Sequence, residues 1–408
     1  MGSKRYLLSN GLGELIRAEL PGSNRVVDPF CGAGSIVYFV AQNSDKQIIA
    51  GDLQKYAVVL ANAVIGRNQK VSTEALEEKW LNIAERKVQK SALFSKAVKL
   101  ETRHSKNVVS WVKNSRRLCK IKSTIGPVWA AYGGYYFSPK QALMLDYLIN
   151  NLPKHSESRN LCLAAAIIAA SRCAASPGHT AQPFQPTKTA SKFIKVAWEM
   201  DVIKLCKNAL KEIAPLHAKI KGKAIVSTAK RLVSNLEKGD LVLIDPPYSG
   251  VQYSRFYHVL ETIARGRCGP VSGAGRYPSL SERPQSAFSN ASQSLKALEE
   301  LMLGLAKKET TVIFTFPKGE CSNGLSGNTI IETAKKWFEI DKASRIHEHN
   351  VVIGKFSTLG GNNKLKLKNN RLKKSRVKSE ELLLLLKPKS KSRSKKSRHG
   401  GQPLQKQI

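Results

Sequence analysis

The stretch LVLIDPPYSG at residues 241–250 ends an apolar run on an acid, two prolines and an aromatic residue. The prolines stop a strand and remove backbone donors, so the carbonyl oxygens of the turn are left to accept hydrogen bonds. Asp245 and the Pro246 carbonyl would form a pair of acceptors, which suits the two hydrogens of a planar amino group on a nucleic-acid base. Tyr248 would supply a ring on which that base stacks. Taken alone, the motif is also compatible with a strand-end turn that buries a tyrosine.

A second motif, DPFCGAGS at residues 28–35, places two glycines between a short apolar stretch and a helical one. Glycine lets a ligand approach the backbone, and a helix N-terminus offers unpaired N–H groups. Asp52 ends the next apolar stretch, where an acid commonly accepts ribose hydroxyl groups. The motif lacks the third glycine of a dinucleotide fingerprint and the lysine of a phosphate loop. It predicts a nucleoside cofactor, or alternatively a structural turn with a helix cap.

The elements that must position these residues alternate between strand and helix patterns. Residues 25–29 and 47–52 are predicted to be buried strands, each followed by a helix, as at the start of an open parallel sheet. Strand-type sequence returns at residues 223–227, 240–245, 310–316 and 350–356, and 380–387 is predicted to be a last strand in a hairpin with 350–356. The chain between residues 71 and 220 shows long amphipathic stretches without strand alternation, which predicts helices.

The predicted fold class is therefore α/β: a Rossmann-like, open, mostly parallel sheet with an inserted, mostly helical domain. The sequence divides into four segments: a first part of the catalytic domain (1–70), the helical insert (71–220), a second part of the catalytic domain (221–388) and a basic, disordered tail (389–408).

The charge of the chain predicts a polyanionic partner. Lys and Arg number 67 against 30 Asp and Glu, a formal net charge of +37. Each basic side chain that meets a nucleic-acid phosphate releases a counterion, so nucleic acid is favoured over an anionic membrane, and a basic chain with no polyanionic partner is the remaining alternative. No apolar run approaches the ~20 residues that span a bilayer, and the first residues lack the apolar core of a signal peptide. We therefore expect a cytoplasmic protein without a membrane partner.

The seven cysteines form no CxxC pair, and no cluster has metal-ligand spacing. We therefore expect neither a metal site nor disulfides.

Together, DPFCGAGS and the later DPPY resemble the S-adenosylmethionine-dependent, adenine-specific DNA methyltransferases of the DNA adenine methylase type. In that family arrangement the cofactor motif comes first and a target-recognition domain lies between the two motifs. The resemblance implies methyl transfer from S-adenosylmethionine to the exocyclic 6-amino group of adenine in DNA, with the base flipped out of the duplex. The implied partner is double-stranded DNA, with a companion restriction enzyme as a further candidate in a restriction-modification system.

The resemblance also implies roles for individual residues. The residues that would bind the cofactor are Asp28, Phe30, Gly32 and Gly34 at its methionine end, Asp52 at its ribose, and Tyr6 near the N-terminus. The catalytic residues would be Asp245, Pro246 and Tyr248, and the substrate-binding residues would be Pro247, Tyr253, Tyr136, His179 and Gln182. One departure is that this family often has an acid shortly before the DPPY strand, whereas this sequence has Ser227, Thr228 and Lys230 there.

Three other functions remain open from the sequence. The same chemistry could act on RNA, or on the exocyclic amine of another base. The chain could instead be a non-catalytic nucleic-acid-binding protein that retains the fold, although the intact motif residues count against this. An unrelated nucleotide-dependent enzyme is disfavoured because the phosphate-loop lysine is missing.

Overall fold

The structure, a computed structural model, describes residues 4–121, 124–352 and 376–389. Its helices are α1 (Arg5–Leu7), α2 (Gly13–Glu19), α3 (Ser35–Asn43), α4 (Lys55–Ile65), α5 (Thr73–Leu76), α6 (Asn82–Gln89), α7 (Ala92–His104), α8 (Val108–Leu118), α9 (Pro127–Tyr132), α10 (Pro139–Asn150), α11 (Ser156–Cys173), α12 (Ser191–Trp198), α13 (Val202–Ile213), α14 (Ala229–Ser234), α15 (Tyr253–Phe256), α16 (His258–Arg265), α17 (Ser294–Lys307) and α18 (Gly327–Trp337). Short π-helical turns at Leu8–Leu12 and Glu77–Leu81 and 3₁₀ turns at Leu280–Glu282 and Ala287–Ser289 complete the helical elements.

One sheet runs through the centre of the molecule. Its strands are β1 (Arg25–Asp28), β2 (Gln47–Asp52), β3 (Lys223–Val226), β4 (Asp240–Ile244), β5 (Thr311–Pro317), β6 (Phe338–Ile340), β7 (Arg345–Val352) and β8 (Arg376–Pro388). The order across the sheet is β3-β2-β1-β4-β5-β8-β6, and β7 also pairs with β8. Strands β1 to β5 pair in parallel, whereas β8 runs antiparallel to β5. The chain order reverses between β1 and β4, which is where open α/β sheets bind ligands at the carboxyl ends of their strands.

The central strand β4 is apolar from Leu241 to Ile244 because both of its faces are covered. Leu241 and Leu243 belong to a core shared with the helices of the insert. Val242 and Ile244 point to the opposite face and pack in a second core with residues of α17 and α18. All five residues of β4 are buried. This burial fixes the direction in which the chain leaves the strand at Asp245.

The described residues between β2 and β3 form helices α4 to α13 and no strand, apart from one isolated bridge between Gly133 and Phe137. Helix α11 is rich in alanine, which lets it pack closely against α4 and α13. A single buried apolar cluster extends from β1 and β4 through α4 and α11 to α10. A smaller core around Trp111 and Trp198, whose rings meet edge to face at 5.1 Å, joins α8 to α12. The insert is thus helical, as predicted, and shares its main core with the sheet.

The predicted fold class is confirmed, and most predicted strands occur within one or two residues of their expected bounds. The apolar run 380–387 lies in β8, but its main partner is β5. The hairpin partner β7 begins at Arg345, earlier than predicted, and residues 353–356 of the predicted strand lie outside the described residues. The predicted basic tail also lies outside them, except for Lys389. The domain boundaries remain predictions.

Among the described residues, no helix is long and apolar enough to cross a membrane. The seven cysteines are free. In the same part of the chain no group of three or more His, Cys, Asp or Glu side chains could hold a metal ion.

Candidate active site

A cavity of about 870 Å³ opens at the carboxyl ends of β1 and β4. Its volume is within the range of small-molecule and cofactor sites. The residues predicted from sequence that line it are Tyr6, Asp28, Phe30, Gly32, Asp52, Asp245, Pro246, Pro247, Tyr248 and Tyr253. The fold therefore brings the two motifs, more than 200 residues apart in sequence, to one cavity. Gly34 lies in the same loop without lining the cavity.

The glycine-rich loop follows β1 and leads into α3. Gly32 and Gly34 have φ angles of 47° and 81°, a left-handed conformation that favours glycine. A Cβ atom at Gly34 would also come within 3.0 Å of the Tyr38 ring. Asp52 holds the loop, because its Oδ2 accepts a hydrogen bond from the Gly32 N–H at 3.1 Å and its Oδ1 accepts one from Gln54 N at 2.9 Å. The loop backbone is thus fixed before any ligand binds.

Two carboxyl groups in this half of the cavity have raised pKa values. Burial raises the pKa of Asp28 to about 8, aided by the nearby charges of Asp245 and Asp52 and opposed by the Phe30 N–H, which donates to Asp28 Oδ1 at 3.0 Å. Burial also raises the pKa of Asp52 to about 6, although the N–H groups of Gln54 and Gly32 favour its ionised form. Buried carboxyl groups of this kind would be stabilised as anions by a cationic or hydroxyl-bearing ligand.

The carboxyl group of Asp245 is held through one oxygen. Asp245 Oδ1 accepts a hydrogen bond from Thr315 Oγ1 at 2.8 Å and lies 3.0 Å from Lys4 Nζ. No donor from the described residues bonds to Oδ2. Because Oδ1 is engaged twice, the carboxyl group is oriented with Oδ2 left to accept a hydrogen bond from a ligand.

Lys4 joins Asp245 to Glu381 on the antiparallel strand β8, since its ammonium group also pairs with Glu381 Oε1. Burial alone would lower the pKa of Lys4, but the carboxylates of Asp245 and Glu381 raise it above its usual value. The lysine therefore stays charged. Its backbone N–H also donates to Ser35 Oγ at 3.3 Å, so the same residue touches the start of α3.

The two prolines after Asp245 differ in their carbonyl partners. The Pro247 carbonyl accepts a hydrogen bond from Asn323 Nδ2 at 3.0 Å, and the same amide nitrogen donates to the Phe288 carbonyl at 3.0 Å. Among the described residues, no donor reaches the Pro246 carbonyl. Asn323 is fully buried, so it fixes the turn while leaving the Pro246 oxygen and Asp245 Oδ2 as the two acceptors.

Aromatic side chains form the wall beside these acceptors. The rings of Tyr253 and Tyr257 have centroids 6.4 Å apart, and Tyr257 lies 5.4 Å from Tyr56. Burial raises the pKa of Tyr248 and of Tyr253, so both phenols stay neutral. A wall of neutral rings beside paired acceptors is suited to a flat base that carries an amino group.

The end of the cavity near Thr228 has no acid from the segment that precedes β4. Ser227, Thr228 and Lys230 line it, and Thr228 Oγ1 caps α14 by accepting from Arg231 N at 3.3 Å. An acid does reach this region from α17: Glu300 lines the cavity and pairs with Lys230 over 3.1 Å. Sequence reasoning could not find it, because α17 follows the DPPY motif by about 50 residues.

Three predicted substrate-binding residues lie outside the cavity. Tyr136 is fully buried, with its hydroxyl 2.6 Å from the Thr180 carbonyl and 2.9 Å from the Gly275 carbonyl, so it ties loops together and presents no ring to solvent. His179 packs on Phe256 of α15, with ring centroids 5.0 Å apart. Gln182 is exposed on the same loop as His179. Their contact with substrate remains a prediction.

Tyr6 is 52% exposed at the cavity mouth and packs against His347 at 5.6 Å between ring centroids. The residues that sequence reasoning did not assign are Thr315, Asn323, Phe288, Glu300 and Glu381. Thr315 is a polar residue in the buried part of β5, but threonine is common in strands, so its position alone did not indicate a site.

The strand order, the glycine-rich loop after β1 and the acceptors after β4 define a Rossmann-like methyltransferase fold. The family model described as D12 class N6 adenine-specific DNA methyltransferase matches residues 1–116 and 149–312, well over half of the chain, and the protein belongs to this family. The predicted family is thereby confirmed.

The chain is also similar to the modification methylase LlaI of Lactococcus lactis subsp. lactis, with 43% identity over 72 residues. The matched region is 17% of this chain and 11% of that protein, so the chain covers about a tenth of the relative's length.

Proposed function

We propose that this protein methylates the 6-amino group of adenine in double-stranded DNA, with S-adenosylmethionine as the methyl donor. The observation that carries the proposal is the pair of acceptors, Asp245 Oδ2 and the Pro246 carbonyl, which have no donor among the described residues and lie beside Tyr248. They share one cavity with the glycine-rich loop and Asp52. Family membership supports the same chemistry.

The two carboxyl groups in the other half of the cavity, beside the glycine-rich loop, fit the cofactor. Asp52 would accept hydrogen bonds from its ribose hydroxyl groups, and Asp28 would face the positively charged methionine end. Their burial and raised pKa values are those of carboxyl groups that lack such a partner. When bound, S-adenosylmethionine supplies an electrophilic methyl group on a sulfonium centre.

The chain's own residues would act on the adenine. An aryl amine is a poor nucleophile because its lone pair is delocalised into the ring. Hydrogen bonds from the amino group to Asp245 Oδ2 and the Pro246 carbonyl would localise that lone pair and aim it at the methyl group. Tyr248 would stack on the flipped base and offset part of the cost of removing it from the duplex. Lys4 and Thr315 would keep the Asp245 carboxylate oriented.

The direct test is transfer of a labelled methyl group from S-adenosylmethionine to duplex DNA, single-stranded DNA and RNA, followed by digestion to nucleosides. Asp245→Ala should lower transfer by a factor on the order of 10³ while DNA binding stays near wild type. Asp45→Ala, the same substitution at an exposed loop position, is the control and should be fully active.

Label in N6-methyladenosine from RNA alone, or in cytosine, would contradict the substrate that we propose. Absence of transfer to all three nucleic acids would contradict the enzyme itself. A companion restriction enzyme belongs to the same proposal, because the matched relative is named a modification methylase. A nuclease from the same source that is blocked at the methylated sites would support it.

A further inference from the structure

Tyr135, in the turn after α9, carries two arginine side chains on its ring. The guanidinium carbons of Arg116 and Arg276 lie 4.4 Å and 4.2 Å from the ring centroid. Arg116 Nε donates to the Gly134 carbonyl at 3.1 Å, and its Nη2 donates to Gln185 Oε1 at 3.1 Å. These contacts fix the plane of the guanidinium group and use only part of its five N–H donors.

Tyr277 repeats the arrangement. The guanidinium carbons of Arg255 and Arg283 lie 4.7 Å and 5.4 Å from the centroid of its ring. Arg255 Nε donates to Tyr277 Oη at 3.0 Å, and Arg283 Nε donates to the Pro278 carbonyl at 3.1 Å. For both arginines, no other N–H of the guanidinium group has an acceptor among the described residues.

One short turn joins the two clusters. Ser272 and Tyr277 form a bridge that closes the turn, and Arg276 and Tyr277 are consecutive, so each cluster receives one residue from it. Arg276 has a φ of 52°, which is unusual for a residue other than glycine. Its side chain is fixed by a hydrogen bond to the Ala131 carbonyl. An unfavourable backbone conformation is thus retained where it places an arginine on Tyr135.

The four arginines lack carboxylate partners. In the part of the chain that the structure describes, none of them lies within ion-pair distance of an Asp or Glu, whereas Arg25, Arg172 and Arg345 are each paired. Burial lowers the pKa of Arg116, and the positive charge of Arg276 adds to this effect. Like charges held together without acids make a strong local site for an anion.

The two arginine–tyrosine clusters lie between a surface groove and the catalytic cavity. Arg116 also lines a groove of about 370 Å³ with Lys113, Arg117 and Lys120, so that groove is strongly basic. At the other side, Arg283 directly precedes Pro284 and Gln285, which line the catalytic cavity. Arg255 lies on α15, two residues after Tyr253 of the cavity wall. A basic surface therefore runs from the groove to the mouth of the cavity.

We propose that the two arginine–tyrosine clusters clamp backbone phosphate groups of duplex DNA beside the catalytic cavity. The proposal rests on the proposed function for its substrate and adds the surface that holds it. A guanidinium group stacked on a ring points its free N–H groups outward in a fixed plane, which matches two oxygens of a phosphate. Clamping the backbone next to the cavity would hold the strand while one nucleotide leaves the stack.

The clamp can be tested by fluorescence anisotropy with a 5′-labelled duplex of about 24 base pairs at NaCl concentrations from 50 to 200 mM. Two double variants are needed: Arg116→Gln with Arg276→Gln, and Arg255→Gln with Arg283→Gln. Each should reduce the slope of log affinity against log salt by about 1.8, since each phosphate contact contributes about 0.9. The affinity advantage of the wild type over either variant should then shrink roughly tenfold between the two salt concentrations.

Arg172→Gln is the matched control, because it removes one exposed arginine that Glu212 already pairs, and its slope should equal that of the wild type. Arg255→Lys with Arg283→Lys keeps both charges and should keep most of the slope, whereas loss of packing alone would reduce affinity in both the Lys and the Gln variants. A melting curve for each variant identifies those that fail to fold.

Unchanged slopes in folded Gln variants would overturn the clamp. It would also be overturned if the Gln variants lost affinity for an RNA duplex of the same length but bound the DNA duplex as tightly as the wild type. The assay involves no methyl transfer. A protein that clamps DNA without methylating it would therefore contradict the proposed function and leave the clamp supported.

Discussion

Thr315 on β5 and Asp245, which directly follows the neighbouring strand β4, share a hydrogen bond of 2.8 Å in which the hydroxyl donates to Oδ1 of the carboxyl group. Lys4 approaches the same oxygen at 3.0 Å. The carboxyl group is therefore held from two sides, one neutral and one charged. Its free oxygen, Oδ2, is the atom that we expect to face the substrate. We therefore expect the threonine to act on the reaction through Asp245, as a positioning residue.

Replacing Thr315 with valine keeps the shape of the side chain and removes this hydrogen bond. We expect kcat to fall about tenfold, since a hydrogen bond to a charged group is worth roughly 1.5 kcal/mol or more, while KM for DNA stays the same. Thr310→Val is the matched control: it removes a 3.3 Å hydrogen bond to Leu305 next to the other end of β5. Equal kcat losses in the two variants would mean that Thr315 supports only the fold.

The stability of the ligand-free protein should depend on pH through Asp28. Burial raises the pKa of this carboxyl group to about 8, so the folded state binds a proton that the unfolded chain releases above about pH 4. The contribution of Asp28 to the free energy of unfolding is complete below pH 4 and is lost as the pH rises toward 8. In the wild type, the free energy of unfolding should therefore fall by on the order of 1 kcal/mol per pH unit between about pH 4 and pH 8. Asp28→Asn should remove this decrease. Denaturant unfolding at pH 5 and pH 8 measures the change in the free energy of unfolding for the wild type and for Asp28→Asn. The same change in both proteins would contradict the prediction.

Tyr248 is expected to hold the flipped base by its ring. Tyr248→Phe keeps the ring and removes only the hydroxyl group, so kcat/KM should stay within a few-fold of wild type. Tyr248→Ala should lower kcat/KM by about 10- to 100-fold, as expected for one lost stacking contact of ~1–3 kcal/mol. Methyl transfer to a duplex that carries a mapped target site provides the measurement. A Phe variant as weak as the Ala variant would show that the hydroxyl group matters more than the ring.

The basic segment 390–408 should contribute to DNA affinity without affecting the choice of site. It holds six Lys and Arg residues. Its deletion should reduce the salt slope of binding, by up to about 0.9 for each phosphate contact that is lost, and weaken all DNA sequences alike. Anisotropy gives the slope, and mapping of methylated positions gives the sites. A changed set of methylated sites would contradict a purely electrostatic role.

The sequence predicted the parts of the fold and site that depend on local patterns. Strand β4 was evident because a strand covered on both faces is apolar throughout, and its end was marked by prolines. The loop after β1 was evident because its left-handed positions need glycine. In each case neighbouring residues determine the structure.

The rest depends on contacts that no local pattern records. Thr315, Asn323 and Glu381 reach the catalytic turn from 70 or more residues away, and each is a common residue type in an ordinary context. The arginine–tyrosine clusters were missed for the same reason: the turn that joins them, near residues 272–277, brings Arg276 onto Tyr135 from a distant part of the sequence. Tyr136 was expected on a recognition loop, but its hydroxyl contacts hold it in the core.

The contact of Lys4 with both Asp245 and Glu381 has a consequence for the synthesis of the protein. Its partner on β8 is 377 positions away, so this contact cannot exist until Glu381 has left the ribosome. Contacts between residues so distant in sequence form late, because closing a large loop costs entropy before they are made. A nascent chain that already contains both motifs would thus carry an unfinished catalytic centre. We therefore expect full activity to require that β8 has joined the sheet.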